Sequence, residues 1–404
     1  MNRILLILIF GTTLLTAQSS GDKAGFGISW GGFVKTDVLF DSRQNVTIRE
    51  GHFLLYPENK NLDVDNKDIN GESSFNMLSI QTRLTGKITA PDVLGAKTSG
   101  VLEGAFFGHT NPDINGFRLR LAFVKLQWEN SSFLAGQYWH PLFITDVFAN
   151  VVSFNTGVPF QPFSRNPQLR YTYKTGGTSI IATAYSQRDF SSTGPNGISS
   201  EYLRNGVIPG LNLNTMFEFP NLLFGISGDM KTLRPKLVSE AKYLSNEKIT
   251  SFAGMVYGKY FKDEFSIKME GVYGSNLYDL TLLGGYASYE KDVITKIEKY
   301  TNVNVFSAWT DIAYGKSTEF GLFAGYTKNL GSEKAILTNF SRGTNIAYVY
   351  RISPRVIFNI GKFRLAGEVE YTVAGYGTAD SNGKVTNTEE VANLRLLTAF
   401  YLFF

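Results

Sequence analysis

"WGGFVKTDVLF", residues 30–40, changes character at every step: Trp30, Gly32, Val34, Thr36, Val38 and Phe40 fall on one face, Lys35 and Asp37 on the other. Successive side chains of a β-strand point to opposite faces, so this segment, read as a strand, has an apolar side and a charged side. A strand of about 9 to 11 residues is long enough to cross a bilayer when tilted, with its apolar face toward lipid and its polar face toward an aqueous interior. A soluble sandwich strand alternates in the same way, so the rest of the chain has to decide.

Residues 78–88 repeat the pattern, with Leu78, Ile80, Thr82, Leu84 and Ile88 against Ser79, Gln81, Arg83, Thr85 and Lys87. Segments of this kind recur near 28–41, 75–89, 99–108, 116–128, 132–139, 167–175, 178–188, 210–219, 222–231, 249–261, 264–274, 303–315, 318–329, 344–359, 363–375 and 391–404. They predict about 16 strands. Their connections alternate in length. Short turns fall at Glu129-Asn130-Ser131, Thr175-Gly176-Gly177, Phe219-Pro220-Asn221, Lys262-Asp263, Lys316-Ser317 and Gly361-Lys362, and long polar loops at 42–74, 140–166, 189–209, 232–248, 275–302, 330–343 and 376–390. Short periplasmic turns and long extracellular loops are the habit of outer-membrane barrels, and a sandwich has no reason to keep that alternation. The expected fold is therefore all-β: a transmembrane antiparallel β-barrel of about 16 strands. Aromatic residues toward strand ends (Trp30, Phe40, Trp128, Tyr138, Tyr171, Tyr173, Phe217, Phe219, Tyr257, Tyr260, Tyr314, Tyr326, Tyr348, Tyr350) suit the girdles at the two lipid interfaces.

Composition agrees. The 404 residues are 18% charged and 14% aromatic, with 40 Gly and no Cys. That charge content is well below the roughly 25% of soluble domains, and disordered, collagenous and disulfide-framework classes do not fit. A net charge of +4 gives no reason to expect nucleic-acid binding. Residues 1–17 read as a secretory signal peptide: Arg3, the apolar run from Ile4 to Leu15, and the small residue Ala17 before the cleavage point. Residues 18–404 read as one barrel domain. The last strand carries Leu394, Leu396, Thr398, Phe400, Leu402 and Phe404 on one face. It resembles the signal read by the outer-membrane barrel assembly machinery, which makes that machinery an expected partner beside outer-membrane lipid.

Little in the chain suits catalysis. His52, His109 and His140 are its three histidines, and no metalloprotease, serine-elbow or paired-Cys spacing is present. No catalytic residue, metal or cofactor is expected. Asp63, Asp65, Asp68 and Glu72 lack the spacing of a calcium loop and read as a solvated loop tip.

The inward face carries more information. Alternation turns Lys35, Arg83, Lys87, Arg118, Arg120, Arg170, Arg351, Arg355, Arg364 and Arg395 toward the interior, with Asp37, Glu103, Glu218, Glu270, Asp311, Glu368 and Glu370. The last strand closes on the first, so arginine crowds one continuous sector of wall. Fixed guanidinium groups raise the local concentration of anions and match carboxylates two oxygens at a time. Lys35, Arg83, Arg118, Arg120, Arg170, Arg351, Arg355 and Arg395 are the expected pore-lining cations. "HPLFITDVFANVVSFNTGVPFQPFSRNP", residues 140–167, is too apolar for a loop in water. It is expected to fold into the barrel and narrow it through Phe143, Phe154, Phe160, Phe163 and the Arg165 that ends it.

The ordered segments "GFVKTDVLFDSRQ" (32–44), "RLTGKITAP" (83–91), "LEGAFFG" (102–108), "FRLRLAFVKL" (117–126), "FLAGQYWHPLF" (133–143), "RNPQLRYTYKTG" (165–176) and "YVYRISPRVIF" (348–358) resemble the DcaP-like porins of the Gram-negative outer membrane. The resemblance implies a homotrimer and passive diffusion of small organic anions, dicarboxylates among them, past arginines at a constriction. Arg118, Arg120 and Arg170 match inward arginines of those segments, with Arg83 beside them. The N-terminal helical extension common in the family has no counterpart here. The resulting expectation is an outer-membrane porin for small, preferentially anionic solutes. A barrel with a plugged pore and a surface-binding or structural role, using loops 42–74 and 275–302, is the alternative.

Overall fold

The computed structural model describes residues 25–108 and 111–404, so the expected signal peptide and His109 lie outside the described residues. The chain begins with β1 (Gly27–Asp41), then β2 (Asn45–Ile48) and β3 (Phe53–Pro57). β4 (Ser74–Leu78), β5 (Arg83–Val93), β6 (Ala96–Ala105), β7 (Arg118–Gln127), β8 (Ser131–Trp139), β9 (Arg165–Thr175) and β10 (Thr178–Tyr185) follow. A short helix, α1 (Glu201–Gly206), precedes β11 (Gly210–Phe219), β12 (Leu222–Leu233), β13 (Ile249–Lys262), β14 (Phe265–Ser275) and β15 (Gly284–Lys291). The chain ends with β16 (Glu298–Tyr314), β17 (Thr318–Ser332), β18 (Thr338–Arg342), β19 (Ile346–Ile360), β20 (Phe363–Ala379) and β21 (Val385–Phe403).

These strands form a closed antiparallel barrel of 16 wall strands, as the alternation predicts. β4 and β5 are two halves of one wall strand, both paired with β1. β2 and β3 form a separate hairpin, and β15 and β18 pair with each other in the extended loop region. The barrel closes where β21 meets β1, from Phe33↔Phe403 to Asp41↔Arg395. Gly32 and Phe404 seal the seam by exchanging backbone N–H···O bonds of 3.2 Å each. Closure leaves the wall without an unpaired edge, which hydrocarbon requires because it cannot satisfy a free N–H or C=O.

Burial alternates along the wall. In β13 every second residue from Ile249 to Tyr257 is buried and the intervening ones are exposed. Exposed large side chains such as Val34, Leu84, Leu213, Ile226, Phe252, Val256, Ile352 and Phe400 form the outer apolar band. Two readings of the alternation need correcting. Residues 79–82 leave the ladder between β4 and β5, with Lys35 N donating to Thr82 Oγ1 at 3.2 Å and a 2.9 Å hydroxyl contact between Thr36 and Ser79. This irregularity shifts the phase, so Leu78 and Ile80 are buried inside rather than facing lipid. Tyr138 and Tyr257 also leave the girdle: Tyr138 packs under the Arg170 guanidinium at 5.0 Å, and Tyr257 is buried, donating to Asn214 at 2.8 Å.

Of the long loops, 275–302 is half strand, formed mainly by β15 and the start of β16. Loop 42–74 is not wholly external either, since Phe53, Leu54 and Leu55 of its hairpin are among the most deeply buried side chains in the protein. The core of the molecule is therefore the barrel interior, filled by chain that folds in from outside the wall.

Candidate functional site in the barrel lumen

The segment after β8 turns inward, as its apolar content requires. His140 is buried at its start, with Nδ1 accepting from Leu142 N at 3.1 Å and the ring packed against Tyr185. The loop then runs along the wall formed by β14, β16, β17, β19, β20, β21 and β1, bound mainly through its backbone. Lys268 Nζ donates to Phe148 O (3.0 Å), Lys35 Nζ to Val152 O (3.0 Å), Arg351 Nη1 to Val158 O (2.9 Å) and Ser307 Oγ to Phe160 O (2.8 Å). In the other direction Ser153 N donates to Glu368 (2.7 Å) and Asn155 Nδ2 to Glu370 (2.7 Å). Phe143, Phe154, Phe160 and Phe163 are all buried. Gly325 on β17 makes room for Phe160, since a Cβ there would run into the phenyl ring.

The β2–β3 hairpin lies beside this loop and shares its anchor. Arg351 Nη2 donates to Leu54 O at 2.9 Å, while Nη1 of the same guanidinium holds Val158 O. Tyr376 Oη donates to Pro57 O at 2.7 Å. Phe53 meets Phe154 and Phe163 edge-on, with ring centroids 4.8 and 5.3 Å apart. His52 Nε2 lies 3.0 Å from Asp37 on β1. Burial holds the His52 imidazole below its ordinary pKa, and the Asp37 carboxylate opposes that effect.

The two halves of the lumen wall differ in charge. On β16 to β21 and β1 the cations are matched. Arg355 makes a two-pronged pair with Asp311 (2.7 and 3.1 Å), and Arg395 with Asp41 (2.9 and 2.8 Å). Arg351 stands 3.6 Å from Glu370, and Lys35 2.9 Å from Asp37. Lys35, Arg351, Arg355 and Arg395 are all buried, and Arg351 and Lys35 hold the inward loops directly.

The half formed by β5 to β9 is different. Register turns Arg83, Lys87, Lys97, Arg118, Arg120, Lys125, Arg170 and Lys174 inward, and Arg165 begins β9. Among the described residues the inward positions of these strands hold one carboxylate, Glu103, which accepts from Arg120 Nε at 2.8 Å and lies 3.7 Å from Arg83. A second carboxylate, Asp189, reaches in from the loop after β10 and pairs with Arg118 and with Arg165 Nε and Nη2, both at 2.7 Å. Arg120 and Arg165 pack beside the Trp139 ring, 5.8 and 5.2 Å from its centroid, and Arg83 over Phe33 at 5.0 Å. Arg83 and Arg170 stay partly exposed, whereas Arg118, Arg120 and Arg165 are buried behind them. This half keeps an excess of positive charge after its ion pairs are formed.

The alternation found the inward cations. It missed Asp41, Asp189 and the buried hairpin. Asp41 sits on the charged face of the first strand, two alternation steps beyond Asp37, and the four-residue apolar run Phe53-Leu54-Leu55-Tyr56 was the available signal for the hairpin. Nothing in the local sequence marks Asp189 as a lumen residue.

No protein-family profile and no curated protein matches this chain. Solved structures do. The outer-membrane channel DcaP of Acinetobacter baumannii superposes with a TM-score of 0.69 at 17% identity, covering 95% of this chain and 99% of that one. An anion-selective porin from Comamonas acidovorans gives 0.57 at 11% identity over 94% and 100%. The outer-membrane protein OmpT of Vibrio cholerae gives 0.57 at 11% over 96% and 99%. At these identities the likeness is one of architecture: the chain shares the closed barrel fold of these outer-membrane channels.

Proposed function

We propose that the protein is an outer-membrane porin through which small hydrophilic solutes diffuse passively, with a preference for organic anions such as dicarboxylates. It is made with a cleaved signal peptide, is inserted by the barrel assembly machinery, works as a homotrimer and performs no covalent chemistry. The observation that carries this reading is the division of the lumen. The β16–β1 half is neutralised by ion pairs and covered by two loops, while the β5–β9 half holds Arg83, Lys87, Arg118, Arg120, Lys125, Arg170 and Lys174 against Glu103 and Asp189. A fixed positive wall in a low-dielectric tube concentrates anions and lowers their entry barrier. Solutes pass along this wall, opposite the loop that carries Phe143, Phe154, Phe160 and Phe163.

The test is single-channel recording in planar bilayers. Ohmic conductance with a reversal potential favouring anions in a salt gradient is expected, and Arg118→Ala with Arg120→Ala should move that potential toward cations. The packing of Phe53 against Phe154 and Phe163 favours a second reading, a barrel closed by its own loops that serves in surface binding or as a structural protein. Absence of ohmic conductance would select it.

A further inference from the structure

Asp189, from the loop after β10, sends a carboxylate into the positive half of the lumen. Its side chain is fully buried and pairs with two guanidinium groups, those of Arg118 from β7 and Arg165 from the start of β9. Its own backbone N–H donates to Arg165 O at 3.3 Å, which ties the loop after β10 to the wall at this point. Glu103 serves Arg120 and Arg83. Four arginines, Arg83, Arg118, Arg120 and Arg165, thus share two carboxylates, while Arg170 donates to Gln168 and to Trp139 O. The matching is incomplete: Arg120 Nη1 and Arg165 Nη1 are buried and have no acceptor among the described residues.

We propose that Asp189 is a selectivity-setting residue of the pore, an internal carboxylate that occupies part of the arginine cluster and so limits how strongly the lumen favours anions. The inference rests on the porin reading above and adds to it a residue that contacts the wall cations rather than lining the passage. A mobile anion in this region competes with a tethered one. With Asp189 in place, Arg118 and Arg165 together present one net positive charge to a passing solute beside the partly exposed Arg83 and Arg170. Without it, they present two. Adding one net positive charge at a few ångströms from the solute path, in an environment between protein and water in dielectric, corresponds to about a three- to tenfold change in relative ion permeability.

The experiment compares wild type, Asp189→Asn and Asp189→Glu in planar bilayers under a potassium chloride gradient. Asp189→Asn should raise the chloride-to-potassium permeability ratio about three- to tenfold, and Asp189→Glu should return it to near the wild-type value. A ratio in Asp189→Asn that stays at the wild-type value overturns the inference, as does a shift of equal size in Asp189→Glu, which would mark a packing defect rather than a charge effect. Arg118→Gln and the double variant Arg118→Gln/Asp189→Asn form a second pair whose local charge is closer to balance. The double should exceed the single by the same factor, and equal ratios in the two would also overturn the proposal. Failure of the wild type to conduct refutes the porin reading itself. A conducting wild type with an unresponsive Asp189 refutes only the role given to this residue.

Discussion

Replacing Arg351 by Met should release two loops at once. The guanidinium is 1% exposed and donates to Val158 O at 2.9 Å from the constriction loop and to Leu54 O at 2.9 Å from the first-loop hairpin. A hydrogen bond from a charged donor contributes about 1.5 to 3 kcal/mol net, so the docking of each loop weakens by about that much. That corresponds to a rise of about 10 to 10² in the equilibrium for opening of each loop. The barrel itself should persist, because the strand pairings of β19 with β17 and β20 run through the backbone. The native chain has no Cys, so a single cysteine reports one position only. Val158→Cys and Leu54→Cys, both buried, would be labelled with a membrane-impermeant thiol reagent with and without Arg351→Met. When closing is faster than labelling, the rate follows the open population, and both positions should label at least about tenfold faster in the Met background. Unchanged rates at both sites, in protein that keeps its heat-modifiable mobility on gels, would refute the role of Arg351 as the shared anchor.

Three further outcomes are expected. His52 is buried with a lowered pKa, so it stays neutral in the docked hairpin while a released hairpin binds a proton; docking is fully retained above pH 6.5 and weakens as pH falls below it. Lys35 and Arg395 repel the imidazolium and Asp37 attracts it. Labelling at Leu54→Cys, divided at each pH by the rate of a free thiol with the same reagent, should therefore speed up on acidification, and His52→Gln should flatten that dependence. Gly325→Val places a side chain where the Phe160 ring lies, and an overpacked site of this kind costs about 1 to 3 kcal/mol, read as faster labelling at Val158→Cys with little change at Leu54→Cys. Arg395→Met leaves Asp41 buried without its two-pronged partner and should destabilise the barrel by about 3 to 5 kcal/mol in urea titration, while the further change Asp41→Asn should recover much of the loss.

The wall was legible because its signal is local: a period of two survives whatever the strand pairs with, so Lys35, Arg83, Arg118, Arg120, Arg170, Arg351, Arg355 and Arg395 could be turned inward from their neighbours alone. The same rule fails where the ladder is interrupted. Carried straight across residues 79–82, it puts Leu78 and Ile80 on the wrong face, since the departure from regular pairing there leaves no mark on the alternation. The inward fold of residues 140–166 was legible for a different reason, because so many apolar side chains in one loop need a place out of water. The first loop sends in only a four-residue apolar run from a polar segment, too little to stand out. Ion pairing was not legible. Alternation gives the sign and face of each charge, but the partner of Arg118 is Asp189, supplied by a loop beyond the next three strands, and only the three-dimensional path brings them together.

The seam between β1 and β21 also has a kinetic meaning. Val34 pairs with Leu402, so the last pairing to form joins residues separated by nearly the whole chain, whereas every other wall contact joins neighbours in sequence. Zippering from hairpin to hairpin can build the sheet at low entropic cost, but the final step has to bring together two ends that no turn connects. Until it does, the nascent sheet exposes two adhesive margins, one on each terminal strand. A free peptide of residues 393–404 should therefore compete for the margin of β1 during refolding in detergent, slowing the appearance of closed barrels without affecting those already sealed.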